Sequence, residues 1–340
     1  MHAAVWYGGK DVRIEELPIP RVNNRDVLVK VKSSGICGSD LHAFEGRSKR
    51  RVPPLVMGHE FAGIVADAGV DVQDFRNGDR IVVEPKLSCG KCDACRNGKT
   101  NICSDLKFIG LHAPGGFAEY VKVPAEDCHK LPDDVSFDEA SIIEPLAVAI
   151  HALEITPKKT DDLLVIGAGV VGLLITMVAA KTTGRNVIVS DVFDYKLELA
   201  KKLGASVAIN SKSRSLSEKV VELTIGKGVD AVIEAVGIQQ TLQQAMTAVK
   251  KGGHVTVTGL QEQEMLIDVM KLVNHEITLR GGYLYTTADF EASLSLAASK
   301  ALPLSALVTH AFPLTEISKA VAALTNPTEE PIKILLTQAN

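Results

Sequence analysis

Six cysteines are spread unevenly along the 340-residue chain, and four of them fall close together. Cys89, Cys92, Cys95 and Cys103 stand in Cys-x2-Cys-x2-Cys-x7-Cys spacing. Four thiolates can close a tetrahedral shell around Zn²⁺ and leave no open coordination position. The stretch 86–101 is rich in Gly, Lys, Asn and Asp and has few residues able to build a core. A structural metal would hold such a lobe, 86–104, together. An iron–sulfur cluster fits the same ligand count, and plain thiols are a third reading. Zinc is favoured because nothing else in the chain points to electron transfer.

A second set is dispersed. Cys37 lies in Gly35-Ile36-Cys37-Gly38-Ser39-Asp40-Leu41-His42, His59 and Glu60 follow Gly58, and Glu144 precedes Pro145. A thiolate, an imidazole and a carboxylate would give three protein ligands and keep one position for water or substrate, as catalytic zinc sites do. The spacing is too loose to establish a site by itself. A lone Cys is commonly a small buried residue, and a lone His a satisfied polar one.

The third set is Gly167, Gly169 and Gly172 in Gly-x-Gly-x-x-Gly spacing, with Val170 and Val171 between the last two. The first Gly permits a tight turn, the second lets the backbone approach a pyrophosphate, and the third lets the following helix sit close to its strand. Asp191 follows Gly172 by 19 residues, near the spacing of an acid that accepts ribose hydroxyls. Its charge would repel a 2′-phosphate, so NAD is preferred to NADP.

These residues need elements to carry them. Stretches 3–7, 12–17, 27–33, 60–66, 80–84 and 117–123 read as short strands between turn signals, a small barrel-like β domain. The apolar run 163–166 reads as a buried strand, 170–180 as a helix and 186–191 as a second strand. Beyond it, helices at 195–203, 218–225 and 241–250 alternate with strands at 206–210, 231–234, 254–258 and 276–280. Gly252-Gly253 ends the third helix. That alternation predicts a doubly wound parallel sheet. Val236, Val257 and Gly259 end two of its strands on the side where such sheets bind ligands. From about residue 290 the chain returns to the first domain, with a helix at 317–324 and a closing strand at 332–336.

Composition narrows the rest. Lys plus Arg number 37 against 41 Asp plus Glu, a net charge of −4. That balance does not favour nucleic-acid binding. Residues 163–180 are nearly all apolar, close to the length of a membrane span, but three glycines interrupt them. The N-terminus shows no signal peptide, so a cytoplasmic location is expected.

Taken together, Cys37-Gly38-Ser39-Asp40, Gly58-His59-Glu60, Gly78-Asp79-Arg80, the four-Cys lobe, Gly115-Gly116-Phe117-Ala118-Glu119-Tyr120, Glu144-Pro145 and the Gly-rich turn run through nearly the whole chain. In this order they make it resemble the zinc-dependent medium-chain dehydrogenases, in the branch of sorbitol, butanediol, threonine and galactitol-1-phosphate dehydrogenases. The resemblance implies an α/β protein with a GroES-like, mainly β catalytic domain over 1–150 and 288–340. A Rossmann domain over 151–287 is set into it. It implies two zinc ions per subunit and NAD. Cys37, His59 and Glu144 would ligate the catalytic zinc, with Glu60 a direct ligand or the partner of the metal's water. Asp40 would orient His59, Ser39 would take the alcohol proton, and His42 would relay it to solvent.

The implied reaction is reversible NAD-linked oxidation of a secondary alcohol, a polyol or diol, to a ketone, in a homodimer or homotetramer with no membrane partner. A sugar-alcohol phosphate or threonine is the alternative substrate, and a non-catalytic nucleotide- and zinc-binding protein the alternative of another class. Leu284 stands where sorbitol dehydrogenases place an Arg, which disfavours sorbitol itself. Arg47, Lys49, Arg50 and Arg51 read as a solvated basic loop, or as a clasp for an anionic group if they face the cleft.

Overall fold

The computed structural model describes residues 1–48, 50–158, 160–261 and 264–338. Lys49, one member of the basic run, lies outside them. The chain divides into two compact units. One comprises Met1–Glu144 with Thr286–Asn340, the other Pro145–Tyr285. The first division falls inside the helix Ile143–Glu154.

The first unit is built around the strand Asp26–Gly35. Val27, Val29 and Val31 alternate into a buried cluster with Phe61, Val65, Ile81 and Val121, the period-two pattern of a strand facing a core. Asp26–Gly35 pairs antiparallel with Glu60–Ala68, Tyr120–Pro124 and Lys333–Thr337. A seven-stranded sheet results, in which Val308–Pro313 and Lys333–Thr337 form the one parallel pair among the described residues. A second cluster joins Trp6, Phe44, Met57 and Phe117 to Ile334 and Leu336. The first and last parts of this unit therefore share one core. Local pattern does not reveal the helices Gly38–Phe44 and Thr287–Ala298. The first is only seven residues long and gets its start from side-chain caps.

The second unit is a six-stranded parallel sheet. In space the strands run Val207–Asn210, Asn186–Asp191, Asp162–Ile166, Val229–Glu234, Val249–Val257, Thr278–Gly281. This is the doubly wound order, with its switch point between Asp162–Ile166 and Val229–Glu234. Helices Leu216–Leu223 and Gln239–Ala248 place Leu216, Val220, Leu242 and Met246 in one cluster with Leu164, Ile188, Val232 and Val255. The apolar stretch 163–180 is a strand, a glycine turn and the helix Val170–Thr182. No helix among the described residues is long and apolar enough to cross a membrane.

Among the boundaries that differ from expectation, one changes the reading of a glycine pair. The helix expected at 241–250 stops at Ala248, and Val249 already begins a strand. Val249 is buried and pairs with Val229. The register shifts between Val229 and Ala231, and Gly252 takes a φ of +70°. The glycine pair thus sits in an irregular strand rather than ending a helix.

Candidate metal centres and dinucleotide site

Cys37 is the N-cap of the helix Gly38–Phe44. Its sulfur accepts from the Ser39 amide at 3.5 Å, and the Asp40 carboxylate accepts from the Cys37 amide at 3.0 Å. This reciprocal cap fixes the thiol where the helix begins. Glu60 opens the neighbouring strand Glu60–Ala68, with His59 just ahead of it, and Glu60 lies opposite Gly35 in the register.

The structure brings a Cys37 sulfur, a His59 ring nitrogen and a Glu60 oxygen within 4.8 Å of one another. Glu144 is buried but falls outside that cluster. Burial pushes its carboxyl up to about 8, His59 opposes that, and Glu60 and Cys37 add to it. Burial likewise pushes the Cys37 thiol up to about 11, with Glu60 and Asp40 adding to it. His59 Nδ1 is buried without a hydrogen-bond partner and stands 3.6 Å from Asp40 Oδ1. The Cys37 thiolate and the Glu60 and Asp40 carboxylates disfavour one another's ionised forms, and a further cation among them relieves that. The donor set therefore fits a zinc ion, with Phe108 edge-on to His59 at 5.6 Å.

Sequence reasoning missed a fourth charged group here. Lys333, from the closing strand, is buried and donates to Glu60 Oε2 and, at 3.3 Å, to the Ile36 carbonyl. The available signal is a lone Lys between Ile332 and Ile334 in an otherwise apolar strand. The basic run also divides. Arg47 pairs with Glu45, and Arg50 is exposed. Arg51 is not part of a solvated loop: it is buried against Asp40 at 2.7 Å.

Cys89, Cys92, Cys95 and Cys103 also meet within 4.8 Å, and none forms a disulfide. Backbone amides point at the sulfurs: Cys89 N at 3.3 Å and Asp105 N at 3.4 Å to Cys103, Cys95 N at 3.5 Å to Cys92. Such amides hold Cys92 down to about 5, in the thiolate range. The helix inside the lobe, Asp93–Arg96, buries no residue. Four sulfurs with amide support and no core of their own fit a structural zinc.

In the second unit Gly167 takes a φ of +100°, and a Cβ there would meet Val236 Cγ2 at 2.6 Å. A Cβ on Gly172 would lie 1.8 Å from the Gly167 carbonyl oxygen. Both must be glycine for the turn and helix to pack. Gly169 is different: nothing lies within 4 Å of its would-be Cβ. It caps the helix Val170–Thr182 with no side-chain bond, which leaves the helix start without a side-chain acceptor and suits it to a pyrophosphate. Asp191 Oδ2 accepts from the Ala168 amide at 2.7 Å, and Oδ1 from Val192 and Phe193 at 2.8 and 3.1 Å. The carboxylate is thereby fixed beside the glycine turn. Val236, Val257 and Gly259 come together across adjacent strand ends. Their organiser is the buried Glu234, whose Oε1 accepts from Val236 and Gly237, both at 2.8 Å, and whose carbonyl accepts from Thr258 and Gly259.

Comparison with known proteins gives two matching family models. Residues 23–133 match the alcohol dehydrogenase GroES-like domain, and residues 170–299 match the zinc-binding dehydrogenase domain. The chain is 35% identical to sorbitol dehydrogenase of Bacillus subtilis (strain 168), covering 99% of this chain and 97% of that one. Among solved structures, 2R,3R-butanediol dehydrogenase from Bacillus subtilis superposes with a TM-score of 0.90 at 32% identity, covering 99% of each chain. The alcohol dehydrogenase rspB from Escherichia coli CFT073, complexed with NADH, gives 0.93 at 32% identity and the same coverage.

Proposed function

The chain belongs to the zinc-dependent medium-chain dehydrogenases, and from that membership we propose that it oxidises a secondary alcohol of the diol or polyol type to the ketone, reversibly, with NAD. The observation that carries this reading is the meeting of Cys37, His59 and Glu60 at the start of the helix that bears Ser39 and His42. Cys37 and His59 would hold the catalytic zinc with Glu60, and the buried Glu144 would be a further carboxylate. Cys89, Cys92, Cys95 and Cys103 hold the structural one.

Bound zinc supplies a Lewis acid that eases loss of the hydroxyl proton, and NAD supplies the hydride acceptor. The chain's own residues move the proton and hold the reactants. The Ser39 hydroxyl accepts the alcohol proton and passes its own to His42, three residues on along the same helix face. Burial, with Arg47 and Arg51 adding to it, holds His42 below the usual imidazole range. Its ring is therefore neutral near pH 7 and ready to accept that proton. Bound NAD would take the hydride and its two electrons, while the chain's own Ser39 and His42 pass the proton toward solvent. Asp191 receives the ribose hydroxyls and disfavours a 2′-phosphate, hence NAD rather than NADP.

Leu284, where sorbitol dehydrogenases carry an Arg, favours a diol over a fully hydroxylated chain. Turnover of a panel of diols, polyols, threonine and sugar-alcohol phosphates, followed by NADH absorbance, tests the reading. The expected result is turnover of a vicinal secondary diol. Silence across the panel from protein carrying two zincs would leave a non-catalytic binding protein.

The partner of this chain is a second copy of itself. Thr278–Gly281 is the last strand of its sheet, and an edge strand can pair antiparallel with its own copy about a twofold axis. Beside it in sequence, Leu266, Val269, Met270 and Val273 are exposed.

A further inference from the structure

Arg51 is 5% exposed, and its guanidinium serves three acceptors. Nη2 donates to Asp40 Oδ1 at 2.7 Å and to Ser39 Oγ at 3.2 Å, while Nη1 donates to the Ser39 carbonyl at 2.8 Å. Asp40 is wholly buried. Its other oxygen takes the Cys37 amide at 3.0 Å, and Oδ1 faces His59 Nδ1 at 3.6 Å. One side chain from the loop ahead of His59 thus closes a ring through Asp40, the N-cap Cys37 and Ser39.

We propose that Arg51 is a positioning residue for the alcohol-proton transfer, aiming the Ser39 hydroxyl while it neutralises Asp40. The proposal rests on the reading of Ser39 as the group that takes the alcohol proton. Two physical points carry it. A buried carboxylate needs a partner charge, and Arg51 supplies it within hydrogen-bond distance. That alone is a structural role, which a lysine would fill. The second point is directional. Because Arg51 donates to Ser39 Oγ, one lone pair of that oxygen is taken, and the O–H must point away from the guanidinium. Without this contact the hydroxyl rotates among its staggered positions. A planar fork can hold the Ser39 carbonyl, the Ser39 hydroxyl and Asp40 together, whereas an ammonium offers no such plane.

The test compares Arg51→Lys, Ser39→Ala and their double variant. Each is assayed for kcat and KM on the best alcohol of the panel, for zinc per chain by metal analysis, and for melting temperature. Arg51→Lys keeps both zincs and melts near the parent. Its kcat falls about 10²-fold, the scale of a misplaced reacting group, with KM little changed. In the Ser39→Ala background the same change costs no further kcat. Parental kcat in Arg51→Lys overturns the proposal. So does an equal loss in both backgrounds, or a loss that tracks missing zinc, because then Arg51 only supports the fold. Full kcat in Ser39→Ala instead removes the proton reading itself, and it shows in a different protein. If Arg51→Lys does not fold, the charge-free pair Arg51→Gln/Asp40→Asn replaces it. With zinc bound, that pair shows a lower kcat than Asp40→Asn alone, and a kcat equal to that of Asp40→Asn overturns the proposal.

Discussion

Lys333 Nζ donates to Glu60 Oε2 across two neighbouring parts of the first unit, and both side chains are almost wholly out of solvent. Glu60 also stands in the cluster with Cys37 and His59, so one carboxylate faces an ammonium and a metal position at once. Gly35 makes the room. A Cβ there would lie 2.3 Å from Glu60 Oε2 and 3.2 Å from Lys333 Cε.

Breaking this pair from one side should be costly. Lys333→Met leaves Glu60 buried with no counter-charge from the protein, a loss of about 3–5 kcal/mol. Lys333→Met/Glu60→Gln removes both charges and should recover most of it. Urea unfolding of the two variants and the parent measures the difference. Equal stability of the single and double variants would mean that Lys333 supports the fold by packing alone.

The four-Cys lobe should depend on its metal. Cys103→Ser lowers bound zinc from two to one per chain, and the freed lobe becomes open to trypsin at Lys91, Arg96 and Lys99. The helix Asp93–Arg96 has no buried residue to fall back on, so metal binding carries the local folding energy. Metal analysis and limited proteolysis read the two effects. An unchanged digestion pattern with one zinc lost would show that the lobe holds itself.

Features that depend on neighbours in sequence were legible. The glycine turn and the four-Cys spacing need only a few consecutive residues to state their chemistry. The strand at 27–33 declares itself by alternating valines. Features made by tertiary placement were not legible. Arg51 reads as one of four basic loop residues, and only the packing of the loop against the helix Gly38–Phe44 shows it buried on Asp40 and Ser39. Lys333 looks like strand polarity until the register places it near Glu60. Spacing could not choose between Glu60 and Glu144. The geometry groups Glu60 with Cys37 and His59, while Glu144 stays buried alongside. The early end of the helix at Ala248 was hidden because the glycine pair serves a strand irregularity that needs Val229 opposite.

Stability should fall as pH rises toward neutrality through Asp127. Burial, with Glu84 and Glu126 adding to it, pushes its carboxyl from 3.8 up to about 7. Glu84 itself is held low: burial raises it, but His129 and Lys86 outweigh that. Below about pH 4 Asp127 is protonated in both folded and unfolded chains and contributes no slope. Between there and about pH 7 the unfolded chain releases the proton first, so the folded state loses ground, by at most about 4 kcal/mol. Above pH 7 the penalty is complete. Asp127→Asn should therefore melt higher than the parent at pH 8 and about equally at pH 4. Parallel melting curves for both proteins across that range would dismiss the effect.

The sheet edge gives the last prediction. Thr278–Gly281 pairs only with Val249–Val257 among the described residues, and the helix Val269–Asn274 ahead of it buries none of its side chains. Val269, Met270 and Val273 are 61, 68 and 63% exposed. Covering three such side chains is worth about 1.5–3 kcal/mol each when complete. If the edge forms the twofold contact proposed above, Met270→Glu/Val273→Glu sets like charges against their own copies there. Light scattering should then report a monomer from a protein that still binds NAD, since the glycine turn and Asp191 are on other strands. A double variant that keeps the parental mass would place the subunit contact elsewhere on the chain.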